Sequence, residues 1–455
     1  MGGWADGLVV DRRGWILSTA FAAAAVGLPR PWFERTLAEG VGRKRPFLDQ
    51  ALEAARWIDR NGQQAEGGGT RWPADPLKPE SGGLDFYNGM PGVVLFFATL
   101  HAASGDRQWL SKATSGADHL IGQLGLGPDQ LDNGLYTGLG GLGYTLMTVA
   151  KAGGGAKYAA AARRTAELIR QRGVVDDSND IISGTAGTGL FLLWAAREWK
   201  DRSRLGLAVK AGERLLATGQ PAEGGLMWFP GAALPRNYPN FSHGTGGVAY
   251  FLATLHRDSG DRRFLDAAIQ GARYLDAVAT RRDGAITIFH QSGGGENRYY
   301  LSWCHGPVGT ARLFYRLYQT TGEQRWSDWV DGLTRGVLAA GVPEQRTEGF
   351  WNNISQCCGN TGIGQYTIDL ARYRPTAALA DLRARIVADN LRRATRDDNG
   401  LWWVQAENRS QPANLVAQTG FMQGAAGVGT FLLQLDAFDT GRRWLFPQPD
   451  TPFAW

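Results

Sequence analysis

Apolar residues are concentrated in two alternating kinds of segment along this chain. The first kind, such as VVLFFATL at residues 93–100, is apolar on nearly every side and is typical of a buried helix. The second kind, such as DRRFLDAAIQGARYLDAV at residues 261–278, carries charged side chains on one helical face and Leu, Ala and Tyr on the other. This pattern predicts a series of buried helices, each covered by an amphipathic helix.

A Gly-x-x-Gly element stands at the start of the buried segments, and it occurs seven times. Ser-Gly-Asp follows two of these segments, at residues 104–106 and 259–261, and is typical of a glycine C-cap joined to an aspartate N-cap. Neither end of the array shows a polar capping repeat, which favours a closed ring over an open solenoid. We therefore predict an all-α fold, an α/α toroid (barrel) of seven inner and seven outer helices. The first glycines are Gly89, Gly138, Gly184, Gly244, Gly306, Gly359 and Gly424.

In such a ring the seven glycine turns lie at one end of the barrel, so the residues just before them should converge on one central cavity. Those immediately before the glycines are Asn88, Thr137, Ser183, His243, His305, Cys358 and Gln423. One step earlier stand Tyr87, Tyr136, Ile182, Ser242, Cys304, Cys357 and Met422.

All three cysteines of the 455-residue chain, Cys304, Cys357 and Cys358, occupy these positions. So few cysteines, and an odd number of them, exclude a disulfide framework. Three thiolates are suitable ligands for Zn²⁺ and leave the fourth tetrahedral position open for water or substrate. His305 as a fourth ligand would close that site, and three unrelated buried thiols are the remaining alternative.

The motifs Trp303-Cys304-His305-Gly306 and Cys357-Cys358-Gly359, set on repeated glycine helix starts, resemble those of lanthionine synthetase C-like (LanC-like) cyclases. The resemblance extends from about Asp85 to Leu435. It implies an α/α toroid with a central zinc ion held by Cys304, Cys357 and Cys358, the last at a position where histidine is more common. The implied reaction is a Michael-type addition of a peptide cysteine to dehydroalanine or dehydrobutyrine, which forms a thioether (lanthionine) ring.

The same resemblance suggests catalytic residues. His243, in SHGTGG, matches the family histidine that acts as acid or base near the metal, and Asp180 matches an aspartate that orients a base or the peptide. His305 is a second candidate proton donor. The family also has an arginine four residues before the first cysteine, where this chain has Tyr300, and Arg298 is the nearest arginine.

Charge and length narrow the candidate partners. The net charge is +5, but no Lys- or Arg-rich run is present, which argues against nucleic-acid binding. The seven repeats occupy nearly the whole chain, so a peptide substrate would have to be dehydrated by a separate dehydratase; alternatively, a small thiol adds to an electrophilic substrate. Two other functions remain open: a non-catalytic zinc module that binds peptides, and an α/α-toroid glycosidase that uses Asp85 and Asp180.

The first thirty residues carry a different signal. Arg12-Arg13 precedes the apolar run at residues 15–28, which is shorter than the roughly 20 residues needed to span a bilayer. Together with Ala23-Ala24-Ala25, this pattern predicts a twin-arginine-type signal in residues 1–30 and export of a single toroid domain, residues 31–455, without a membrane span. An amphipathic or buried N-terminal helix in a cytoplasmic protein is the alternative.

Overall fold

Seven helices begin directly after the first glycine of a Gly-x-x-Gly element, as predicted. The computed structural model describes residues 44–127, 130–232, 234–398 and 400–453, and fourteen α-helices lie within these ranges. The inner helices are α2 (Met90–Ser104), α4 (Leu139–Val149), α6 (Thr185–Trp199), α8 (Thr245–Ser259), α10 (Pro307–Thr321), α12 (Asn360–Ala371) and α14 (Ala425–Asp439). The outer helices are α1 (Pro46–Arg60), α3 (Arg107–Gly122), α5 (Ala156–Arg172), α7 (Arg202–Thr218), α9 (Arg262–Val278), α11 (Gln324–Ala339) and α13 (Ala377–Arg392).

The inner helices form a closed ring. Each packs against the inner helices before and after it, and α14 packs against α2 to complete the circle. The inner helices are buried along nearly their whole length, whereas the outer helices bury one face. The prediction of an α/α toroid with seven inner and seven outer helices is therefore confirmed. The outer helix that covers α14 is α1, which precedes the repeats in the chain.

Backbone hydrogen bonds join the repeats at the end of the barrel where the inner helices begin. Seven N–H groups each donate to the carbonyl of the next repeat, and the last bond returns to the first repeat. The bonds run from Tyr87 to Tyr136 (2.9 Å), Tyr136 to Ile182 (2.9 Å), Ile181 to Ser242 (3.1 Å), Ser242 to Cys304 (2.8 Å), Cys304 to Cys357 (3.1 Å), Cys357 to Met422 (3.0 Å) and Met422 to Tyr87 (2.7 Å). We call this circle the backbone ring.

Close approach of the backbone to itself explains the repeated glycines. A Cβ atom at Gly244, the first glycine of its element, would lie 1.3 Å from the carbonyl oxygen of Tyr238. At Gly309, the second glycine of its element, a Cβ would lie 1.9 Å from the carbonyl oxygen of Trp303. Only glycine allows these turns, so the Gly-x-x-Gly element is required by the path of the chain at the rim of the barrel.

The Ser-Gly-Asp joints also form as expected. Gly105 and Gly260 adopt left-handed conformations at the ends of α2 and α8, with φ of 76° and 75°. Asp106 and Asp261 then accept hydrogen bonds from the second residue of the following helix.

Short antiparallel strand pairs, which the pattern did not predict, lie in the loops between helices. Each pairs residues close in sequence, so these are local hairpins and ladders, and the core remains helical. They are β1 (Gln63–Gln64) with β2 (Thr70–Arg71), β3 (Gln220–Ala222) with β4 (Gly225–Met227), β5 (Thr280–Arg282) with β6 (Ala285–Thr287), β7 (Ala394–Asp397) with β8 (Gly400–Trp403), and β9 (Gln405–Ala406) with β10 (Leu415–Val416).

Two further observations concern the sequence predictions. The signal predicted in residues 1–30 lies outside the described residues. Within the described ranges, none of the helices has the length and apolar character required to cross a membrane.

Candidate metal centre and its cavity

A cavity of about 620 Å³ opens at the end of the barrel where the inner helices begin. Its lining includes most of the positions predicted to converge: Tyr87, Thr137, Ile182, Ser242, His243, Cys304, His305, Cys357, Cys358 and Gln423. Asn88, Tyr136, Ser183 and Met422 are not among the residues that line it. His290, Tyr300 and Trp351 form another part of the wall, and the loop at residues 407–414 lies at the rim.

The three cysteines meet in this cavity. The Sγ atoms of Cys304 and Cys358 are 3.4 Å apart, those of Cys358 and Cys357 are 3.3 Å apart, and all three lie within 4.8 Å of one another. All three side chains are buried and none forms a disulfide. The backbone ring accounts for this arrangement, because it bonds Cys304 to Cys357 directly and Cys358 is the next residue.

This sulfur cluster could hold one metal ion. Soft sulfur donors at this spacing suit a zinc-type site with three protein ligands. Among the described residues, the candidate ligand group contains the cysteines alone, and His305 is not part of it. Nε2 of His305 instead lies 3.4 Å from the Ser242 hydroxyl. The geometry therefore favours an open fourth position over a site closed by His305.

Tyr87 and Gln423 support one of the sulfur atoms. The Tyr87 hydroxyl donates to Sγ of Cys357 at 2.9 Å, and the Gln423 amide donates to the same hydroxyl at 2.9 Å. Burial raises the pKa of the Cys357 thiol, but hydrogen bonds from Cys304, Cys358 and Tyr87 outweigh burial and bring it well below its ordinary value. The sequence pattern placed Tyr87 and Gln423 at the cavity without indicating this role.

Asp180 and His243 form a close pair beside the cysteines. Nδ1 of His243 lies 2.5 Å from Oδ2 of Asp180. The second carboxylate oxygen of Asp180 accepts the backbone N–H groups of Ser183 and Gly184, both at 2.9 Å, at the start of α6. Burial lowers the pKa of His243, but the negative charge of Asp180 prevails and raises it above its ordinary value. Because Nδ1 is occupied, Nε2 is the nitrogen available to the cavity.

His305 and His290 have the opposite electrostatic environment. Burial lowers the pKa of His305 well below its ordinary value, and His290 and His243 add repulsion. Burial and the nearby Arg298 and Arg409 lower the pKa of His290 to about 3. The two imidazole rings meet edge to face at 4.5 Å, and His290 also stacks on Tyr300 at 4.2 Å. Both environments therefore favour the neutral form of the imidazole.

Among the described residues, Arg409 is the arginine that lines this cavity. Arg298 pairs with Glu348 at 2.6 Å and is not one of the lining residues. Arg409 pairs with the same carboxylate at 2.7 Å and lines the cavity, and its positive charge opposes the burial that raises the pKa of Tyr300. Nothing in the sequence pattern marks Arg409, because it lies in the loop between β9 and β10, away from the glycine elements and the helices.

The carboxylates considered for a glycosidase both cap helices. Oδ1 of Asp85 accepts the backbone N–H groups of Asn88 and Gly89 at 2.7 and 3.3 Å, as Asp180 does in its own repeat. Asp180 is also engaged with His243. Both carboxylates are therefore engaged in holding backbone N–H groups, and Asp180 in holding His243 as well, which does not favour their use as a catalytic pair.

Similarity to known proteins agrees with this description. The structure of nisin cyclase matches with a TM-score of 0.62 at 16% sequence identity, covering 88% of this chain and 95% of that one. The Lin0763 protein from Listeria innocua matches with a TM-score of 0.50 at 12% identity, covering 87% and 97% of the two chains. No curated protein sequence matches the chain significantly. The family model for lanthionine synthetase C-like proteins matches residues 80–448, and the chain therefore belongs to the lanthionine synthetase C-like family.

Proposed function

We propose that this protein is a zinc-dependent cyclase that adds a peptide cysteine to dehydroalanine or dehydrobutyrine and forms a thioether ring. The observation that carries the proposal is the cluster of three cysteine sulfur atoms within 4.8 Å of one another in the central cavity. Family membership and the fold shared with nisin cyclase support it. The substrate would be a peptide that a separate dehydratase has already modified.

Cys304, Cys357 and Cys358 would hold the zinc ion. When bound, Zn²⁺ lowers the pKa of a coordinated substrate thiol, so that the nucleophilic thiolate is present at neutral pH. The hydrogen bond from Tyr87 to Cys357 would keep that ligand in the deprotonated form that metal binding requires. The cavity volume of about 620 Å³ suits the reacting residues of a peptide, while the rest of the peptide would stay outside.

The addition needs one proton at the α-carbon. The substrate sulfur forms a bond to the β-carbon of the dehydro residue, and the electron pair of the carbon–carbon double bond moves onto the adjacent carbonyl as an enolate. The proton lost by the thiol is balanced by one delivered to the α-carbon, so the product has the mass of the starting peptide. His243 is suited to deliver that proton, because Asp180 favours its protonated form and occupies its other nitrogen.

His305, the second candidate donor, has a different assignment. Its neutral imidazole holds no acidic proton of suitable strength near neutral pH. We assign it to substrate orientation through a ring nitrogen, since its Nδ1 is buried without a hydrogen-bond partner among the described atoms. Of the two histidines, His243 is therefore the proposed acid.

Arg409 would stabilise the enolate. It is the one arginine or lysine among the described residues of the cavity lining, and Glu348 holds it in place. A guanidinium next to the developing negative charge lowers the barrier to addition. Arg409 thus offers the positive charge that the family pattern assigns to the position of Tyr300 in this chain.

Two measurements test the proposal together. The first is the zinc content of the purified protein, with about one zinc per chain expected in the wild type and much less in Cys358→Ala. The second is loss of alkylatable thiol from a synthetic peptide that contains one cysteine and one dehydroalanine, since ring closure leaves the mass unchanged. Chelator-treated wild type is the matched control and should close no rings.

The outcomes distinguish the remaining alternatives. Thiol loss that depends on zinc and on His243 supports the cyclase. Zinc binding and peptide binding without any thiol loss, with the peptide or with glutathione as the thiol, would refute the cyclase and favour the non-catalytic zinc module. A wild type that holds no zinc would refute the metal centre itself.

A further inference from the structure

After the last inner helix the chain turns back into the barrel. Residues 440–453, which we call the crossing segment, follow α14, whose C-terminal end lies opposite the cavity. Tyr144 of α4 donates a hydrogen bond to the Phe446 carbonyl at 2.8 Å, and Phe453 stacks on Tyr315 of α10 at 4.6 Å. Since α4 and α10 belong to the second and fifth repeats, the crossing segment passes beneath the cavity from one side of the ring to another.

A buried carboxylate anchors the crossing segment. Asp450 is 1% exposed, and its Oδ2 accepts hydrogen bonds from Trp303 Nε1 at 3.0 Å and from the Tyr136 hydroxyl at 3.1 Å. Arg312 of α10, also buried, pairs with the same oxygen at 3.3 Å and donates to the Asp450 carbonyl at 3.0 Å. Three polar side chains therefore surround this buried carboxylate, as in a polar network with a defined geometry.

The partners of Asp450 connect directly to the cysteine centre. Trp303 immediately precedes Cys304 in the chain. The Tyr136 carbonyl accepts the N–H of Tyr87, whose hydroxyl in turn contacts Sγ of Cys357. One carboxylate therefore holds, from below, both a segment that carries a cysteine and a segment that supports another cysteine.

We propose that Asp450 is a positioning residue for the cysteine centre, acting through Trp303 and through Tyr136 and Tyr87. It keeps the sulfur atoms of Cys304 and Cys357 at the separation that a single metal ion requires. The inference rests on the proposed metal-dependent function. Groups that orient metal ligands without touching the metal typically contribute about 10- to 100-fold to metal affinity.

The chain offers a matched control for the loss of a buried ion pair. Asp436 of α14 pairs with Arg45 at 2.5 Å, with side chains 3% and 14% exposed, against 2% and 6% for Asp450 and Arg312. Asp436 accepts from Arg45, which directly precedes α1, and Arg45 also donates to the Ala103 carbonyl near the end of α2, away from the cavity. Asp450→Asn and Asp436→Asn therefore remove the same charge from similar surroundings, and only the first change touches the partners of the cysteine segments.

The experiment measures zinc affinity by chelator competition, together with the thiolate-to-metal absorption of the cobalt-substituted protein. We expect both variants to unfold at lower temperature than wild type. Asp450→Asn should bind zinc about tenfold or more weakly than Asp436→Asn and should show an altered cobalt spectrum. Equal zinc affinities and identical cobalt spectra in the two variants would overturn the proposal.

Two additions keep the test decisive. If Asp450→Asn does not fold, Tyr136→Phe removes the hydroxyl that bonds to Asp450 and keeps the buried ring, and a loss of zinc affinity in the same direction is expected; unchanged affinity would count against the proposal. In metal-free protein, iodoacetamide should alkylate Cys304 faster in Asp450→Asn than in Asp436→Asn, and equal rates would overturn the inference. A wild type that binds zinc but forms no thioether would refute the proposed function and leave this inference intact.

Discussion

Replacing Asp180 by asparagine tests the proposed acid most directly. Asparagine keeps an oxygen that can accept the N–H groups of Ser183 and Gly184, so the start of α6 should form as before. The variant loses the negative charge next to His243, whose Nδ1 lies 2.5 Å from the carboxylate. Of the influences that remain, burial lowers the pKa of the imidazole and the charge of Cys357 raises it, so this pKa should fall from its wild-type value.

The magnitude follows from the charge separation. Each charge is spread over its whole group, so the relevant distance is about 4 Å between the centres of the imidazolium and the carboxylate. At that distance two unit charges interact with about 4 kcal/mol at an effective dielectric constant of 20. Loss of most of that energy from the protonated state corresponds to a fall in kcat of about 100- to 1,000-fold, which lies within the contribution of general acid catalysis. Zinc content should not change, because Asp180 does not contact the cysteines.

The proposed role of His243 also predicts the direction in which kcat changes with pH. An acid works while it is protonated, so kcat of the wild type should fall as the pH rises through the raised pKa of His243. In Asp180→Asn this fall should occur at lower pH. The Asp180–His243 pair also stabilises the folded wild type at low pH, and that stabilisation is lost as the pH rises through the raised pKa.

The assay is initial-rate loss of alkylatable thiol from the dehydroalanine peptide between pH 5 and 9, with zinc measured on each sample. His243→Gln is the comparison variant, since it removes the titrating group altogether. If Asp180→Asn keeps the kcat and pH profile of the wild type, the assignment of His243 as an acid tuned by Asp180 is wrong. If zinc content falls with activity, the pair has a structural role.

Three further changes probe the rest of the site and the fold. Arg409→Met should lower kcat by about 10- to 100-fold with zinc content unchanged, because it removes the positive charge near the enolate; thiol-loss kinetics measure this. Tyr87→Phe removes the hydrogen bond to Cys357 and should weaken zinc binding about tenfold near neutral pH in chelator competition. Gly309→Ala should destabilise the fold by about 3 kcal/mol in denaturant unfolding, whereas Gly206→Ala, in open space on α7, should be neutral or stabilising.

The sequence was sufficient to predict the ring because its glycines are a direct steric consequence of the path of the chain. Wherever the rim turn recurs, a side chain at Gly244 or Gly309 would collide with the backbone, and the element is therefore visible without any structure. The convergence of Cys304, Cys357 and Cys358 followed from the same repeat.

Other residues of the site do not belong to the sequence repeat. Arg409 and His290 reach the cavity from loops between helices, whose paths depend on tertiary contacts such as the ion pair with Glu348. Asp450 acts from a segment outside the repeats, and its partners are far away in the chain. The outer helix α1 packs on α14 although the two helices lie near opposite ends of the sequence, and no local pattern can indicate such a contact.

One irregular step in the backbone ring occurs in the repeat whose aspartate contacts His243. Asp85 and Asp180 stand four residues before the first glycine of their repeats and cap their helices in the same way. At every other step, one residue both accepts from the preceding repeat and donates to the next. In the third repeat, Ile182 accepts and Ile181 donates.

The third repeat is therefore shifted by one residue relative to the fourth repeat, whose adjacent segment carries Ser242 and His243. Asp180 then reaches His243 with its second oxygen, while Asp85 has no such contact with the following repeat among the described bonds. The capping motif is shared, but the residue before the next glycine is His243 after Asp180 and Thr137 after Asp85. Asp180 therefore differs from Asp85 in two ways, a histidine in the following repeat and a shifted register, and the register could not be predicted from the sequence.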